Sequence, residues 1–97
     1  LTCQCTPAQF AGQVWGTGTY AEDSSVCGAA LHAGAVARTG GIVTVEHMQG
    51  CGIYKGSFNN GITTANYGTW SSSFYFPSVG GGVCAVPPPG RGRRVVH

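Results

Sequence analysis

The chain has 97 residues, of which 17 are glycine and only 8% are charged, against about 25% in typical soluble domains. That length makes one domain with a modest core, and ten aromatics beside so little charge exclude intrinsic disorder. The formal net charge of +2 misleads, because Arg91, Arg93 and Arg94 lie in the last seven positions, and no basic stripe of the kind that binds nucleic acid crosses the body.

Residues 1–12 read as an irregular lead-in carrying Cys3 and Cys5. Leu1–Cys5 has neither the charged n-region nor the apolar h-region of a signal peptide. "QVWGTGTY" (13–20) reads as a short strand punctuated by glycine. The character then changes. Asp23, Ser24 and Ser25 are good N-cap residues, and Glu22 and Asp23 suit the positive end of a helix dipole. Val26, Ala29, Ala30 and Ala33 follow at helical spacing, and Gly34 can turn left-handed beyond the last turn. The spacing predicts one helix over 25–33.

"IVTVEHM" (42–48) predicts a strand, with Ile53 and Tyr54 resuming one. "GSFNNG" (56–61) is a turn in which Asn60–Gly61 can take positive φ. "ITTANYG" and "SSSFYF" are two further strands, the last with Phe74 and Phe76 on one face. From Pro77 the chain is rich in glycine and proline, and "VPPPGRGRR" reads as an extended tail. The expected fold class is α+β: a single short central helix among about five antiparallel strands, in a small disulfide-stabilised domain. No apolar run is long enough to cross a membrane as a helix.

Five cysteines in a small, charge-poor chain point to disulfides and an oxidising compartment, with one thiol left over. Cys27 and His32 stand five residues apart, a net offset of about 140° on a helix. They face different sides, so they do not form a local Cys–His nucleophile, and a disulfide is the better reading of Cys27. Asp23, Ser24 and His32 lack the G-x-S-x-G elbow of a hydrolase. A carboxylate pair for glycoside chemistry would need two of Glu22, Asp23 and Glu46, of which two are adjacent and the third is on a strand, a weak signal. His32 and His47 lack zinc-ligand spacing. We therefore expect no catalytic residue, no metal and no cofactor. Most aromatics must form the core. Tyr54, Lys55, Asn59, Asn60 and Trp70 are the candidate ligand surface, within loops around 38–41, 49–57 and 58–70.

The segment "YAEDSSVCGAALHAG" (20–34) resembles the LCCL domain signature, Y-x-x-x-S-x-x-C-x-A-A-x-H-x-G-V-I. Tyr20, Ser24, Cys27, Ala29, Ala30, His32 and Gly34 match it without a gap. Ala35–Val36 replace the usual Val-Ile. "VWGTGTY", "GGIVTV", "YKGSFNNGI" and "WSSSFYF" extend the likeness over residues 3–76, which sets a domain at 1–78 and a basic Gly/Pro tail at 79–97. The resemblance implies a non-catalytic module of secreted or cell-surface mosaic proteins, with a helix wrapped by β-sheet. Its ligands would be glycans, lipopolysaccharide or another glycolipid, or extracellular proteins; a passive spacer is the alternative. It also implies a Cys5–Cys27 disulfide. The family's second bridge uses a cysteine further upstream. Without that cysteine, Cys3 would have to find Cys51 or Cys84; Cys51 is the expected partner, because the two flank the expected folded body, and Cys84 would then be the odd thiol. Within the signature, Ser24 or Asp23 would cap the helix, Ala29 and Ala30 would admit a sheet, and His32 would be buried against backbone.

Overall fold

The computed structural model describes residues 1–87. Its centre is α1 (Val26–Ala33). Ser25 caps the helix, its Oγ accepting from the Gly28 N–H at 3.1 Å. Ser24 and Asp23, the expected caps, do not. Ser24 is drawn inward instead, its Oγ accepting from the Trp15 N–H at 2.9 Å. At the other end Gly34 takes φ 82°. Its N–H reaches Leu31 C=O and the Ala35 N–H reaches Ala30 C=O at 2.8 Å, the paired bonds of a Schellman motif. Six consecutive residues, Cys27 to His32, are buried. A helix facing one sheet would bury a stripe; this one is enclosed on nearly every side.

The enclosure comes from short strands. The lead-in is not irregular: β1 (Thr2–Cys5) pairs antiparallel with β4 (Gly41–Thr44), Cys3 opposite Val43. A four-stranded antiparallel sheet runs β2 (Gly16–Thr17), β3 (Thr19–Ala21), β8 (Ser72–Tyr75), β5 (Glu46–Gln49). The expected 42–48 strand is thus two strands in two sheets. Val43 and Val45 are both buried in one core, and the chain turns a corner at Val45, whose N–H bonds Leu1 C=O at 2.7 Å. The hairpin β6 (Phe58–Asn59) and β7 (Ile62–Thr63) closes through Asn60 and Gly61 at φ 52° and 83°, the positive pair a type I′ turn requires.

Tyr20, Phe74 and Phe76 form the aromatic centre of the main core with Val14, Val43, Val45 and the helix alanines. Ala29 and Ala30 are fully buried; any longer side chain would push the surrounding strands away. A second cluster gathers Ala21, Cys51 and Tyr54, with Trp15, Tyr67 and Trp70 packed against it.

Two disulfides join the shell. Cys5 bonds Cys27, tying β1 to α1. Cys51 bonds Cys84, which corrects the expected Cys3–Cys51 pairing; the odd thiol is Cys3, half-buried on β1. The expected tail also begins too early. Beyond Val79, Cys84 is crosslinked and the Gly52 N–H bonds Val86 C=O at 2.7 Å. Proline-rich composition pointed to a free end, yet the Pro77–Val79 turn and the following glycines fold this segment back on the body. The arginines of the expected tail lie outside the described residues.

Candidate functional site

Tyr20 and His32 occupy adjacent elements, β3 and α1, and meet at their buried ends. The Tyr20 hydroxyl lies 2.8 Å from His32 Nδ1, and Nε2 lies 3.0 Å from Ser57 Oγ. Ser57 Oγ is 2.6 Å from Thr17 Oγ1, and Thr17 donates to Lys55 C=O at 2.8 Å. The carbonyl can only accept, and this assigns every proton in the chain. Thr17 spends its proton on Lys55, so Ser57 donates to Thr17. Ser57 Oγ then accepts from His32 Nε2–H, and Nδ1 accepts from Tyr20. His32 is therefore the neutral Nε2–H tautomer, an assignment from the bonding pattern.

The environment holds it there. Burial keeps the His32 imidazole below its usual pKa, partly opposed by hydrogen bonding at the Ser57 backbone. Burial pushes the Tyr20 phenol up, partly opposed at the Gly18 backbone, so the hydroxyl keeps the proton it donates. His32 is thus buried as expected, with side chains of Tyr20 and Ser57 at its two ring nitrogens as well as the Ser57 backbone.

Above this pair lies a cleft of about 160 Å³ lined by Thr17, Gly18, Tyr20, His32, Ala33, Asn59 and residues 79–81. Four segments converge there: the β2–β3 turn, the end of α1, the β6–β7 hairpin and the segment after β8. Asn60 fastens the hairpin, its Nδ2 donating to His32 C=O at 3.0 Å. Asn59 Nδ2 lies 3.4 Å from His32 Nε2. Because Nε2 already carries a proton, these two donors make no bond, and the exposed Asn59 amide keeps its donors and acceptor.

The remaining candidates separate. Tyr54 is 2% exposed and so is no surface residue. Its hydroxyl accepts from the Cys51 N–H at 2.9 Å and meets Ser73 Oγ, and a Tyr with that many buried partners is a core residue. Trp70 is half-buried beside Tyr67 at 5.4 Å, its Nε1 enclosed without a partner. Lys55 is exposed beside a smaller cavity of about 70 Å³. Cys27 is spent in its disulfide. The sequence reading missed Thr17, Ser57 and residues 79–81 at this site. The triplet Gly80–Gly82, all at positive φ, was the available signal for the last.

The family model of the LCCL domain matches residues 1–74. Vitrin of Mus musculus is 46% identical over 61 residues, 63% of this chain and 9% of that protein. Clotting factor C of Tachypleus tridentatus is 44% identical over 79 residues, 81% of this chain and 8% of that protein. Cochlin of Homo sapiens is 41% identical over 61 residues, 63% of this chain and 11% of that protein. The chain thus spans about a tenth of the length of these relatives.

Proposed function

The chain belongs to the LCCL domain family, and on that premise we propose that this extracellular domain is a non-catalytic binding module, taking a glycan, a glycolipid or another extracellular protein on its hairpin face. The observation that carries the reading is the cleft at Asn59, where four chain segments present polar groups around a buried, hydrogen-bonded floor. Concave sites with a few convergent polar groups are where ligands are ordinarily held. The groups a hydrolase would use are otherwise engaged: Cys27 is a disulfide half, and Ser24 is buried on the Trp15 backbone.

The test is a screen of the immobilised chain against neutral and acidic glycans, glycolipid vesicles and extracellular matrix proteins. Saturable binding at micromolar strength, weakened by substitutions on the hairpin, supports the module. A clean screen across all three classes sinks it and leaves the spacer reading.

A further inference from the structure

We propose that the Asn59 cleft takes a neutral, hydroxyl-rich group no larger than one sugar ring, such as the terminal unit of an uncharged glycan. The inference rests on the binding-module reading and adds the ligand's class.

Size comes first. At about 160 Å³ the cleft is well below the roughly 300–1,000 Å³ of pockets that enclose drug-sized ligands. It suits one ring, not an extended chain. Charge comes second. Among the described residues, no lysine, arginine or carboxylate lines it. Moreover, Ala33 is the last residue of α1, so the cleft lies at the negative end of the helix dipole, which disfavours phosphate and carboxylate. A cation would find no carboxylate to replace its water. Bonding capacity comes third. Asn59 offers amide donors and an acceptor. No described residue bonds the Gly81 N–H or the Ala33 carbonyl. A hydroxyl both donates and accepts, so it matches a mixed set that an anion would meet only by half. Val79, nearly half exposed at the rim, and Ala33 supply apolar surface for the ring's C–H face.

The floor is a reason the site keeps its shape. His32 and Tyr20 are 1% and 0% exposed and fully bonded to each other and to Ser57, so they form a wall and leave recognition to the groups at the rim. Gly81 cannot be replaced freely. A Cβ there would stand 2.3 Å from Gly18 C=O, so the two loops close the cleft by backbone contact.

The experiment titrates ¹⁵N-labelled chain with glucose, galactose, mannose, N-acetylglucosamine, glucuronate and inorganic phosphate, following amide and side-chain shifts. At least one neutral sugar should move the Asn59 side-chain and Gly81 amide signals saturably, with a Kd unchanged between low and high salt. Asn59→Ala should weaken it about tenfold, and Ala33→Leu, which fills the cleft from a helical position, should abolish it. Lys55→Ala should leave it unchanged. Shifts confined to glucuronate or phosphate, or sugar binding indifferent to both cleft substitutions, overturn the assignment while leaving a binding module elsewhere on the domain. No response here, with a glycan or protein hit in the wider screen, overturns it equally. No response in either experiment removes the module reading as well. Unchanged spectral dispersion in Ala33→Leu shows that it remains folded.

Discussion

Removing the Cys51–Cys84 bond by Cys51→Ala with Cys84→Ala tests the half of the architecture that the sequence reading placed differently. The bond closes a loop over a separation of 33 residues, and the chain-entropy model assigns such a loop about 3.7 kcal/mol. The second cluster would also lose two sulfurs packed near Ala21 and Tyr54. At roughly 4–8 °C per kcal/mol for a domain of this size, the melting temperature should fall by roughly 15–30 °C. Urea unfolding followed by tryptophan fluorescence reads this directly, because Trp15 and Trp70 both border that cluster. Cys3→Ala is the control and should change stability by about 0.5 kcal/mol or less. A non-reducing peptide map should recover Cys5–Cys27 and Cys51–Cys84, with Cys3 alone taking a thiol label. If Cys3→Ala is the costly variant and the double substitution is harmless, the pairing described here is wrong.

His32 should make the domain acid-sensitive. Its folded pKa lies below the unfolded value of about 6.5, so the unfolded chain binds the proton first. Stability is then full above that value and falls as pH drops through it toward the folded pKa. Tyr20, Ser57 and Asn59 are its bonded or nearest polar groups and none is charged, so denaturation midpoints measured from pH 7.5 to 4.5 should decline, and His32→Gln should flatten the part of the decline due to this group. Ser24→Ala should cost about 1–3 kcal/mol by orphaning the Trp15 N–H, and Ser25→Ala about 1 kcal/mol by removing the cap; in urea titrations, a larger cost for Ser25→Ala than for Ser24→Ala would contradict the roles given. Gly34→Ala should cost about 1 kcal/mol by forcing a side chain into φ 82°, with no loss for Gly18→Ala beyond its own positive φ, since a Cβ there meets nothing within 4 Å.

Much of this was legible because it is local. Helix caps, Gly34 and the Asn60–Gly61 turn are dictated within a few residues, and the helix was placed to within one residue. The Cys5–Cys27 bond came only through the family resemblance. What failed depends on distant partners. Val43 and Val45 announce a strand, but nothing nearby says that its two halves join different sheets. Tyr54 lies among turn residues and looked exposed, while its hydroxyl partner Ser73 is 19 residues away. Residues 79–86 carry composition that cannot build an element alone; a crosslink to Cys51 holds them. His32 shows the same limit. Its burial was foreseen, but its partners come from β3 and from the loop at Ser57, and no spacing within the signature reveals them.

The two crosslinks also determine how the domain answers tension. If this module is strung between neighbours in a longer chain, a pull on its two ends passes from Cys5 straight to Cys27, and from Cys51 straight to Cys84. Residues 6–26 and 52–83 hang off that line as closed loops and bear no load. Even a fully stretched module would be shorter by roughly 180 Å than the same chain reduced. Most of the cleft's lining, Thr17, Gly18, Tyr20, Asn59 and residues 79–81, sits in the slack loops, whereas His32 and Ala33 sit on the taut segment. Stretching would draw the helix away from its own walls and empty the site long before any covalent bond gave way.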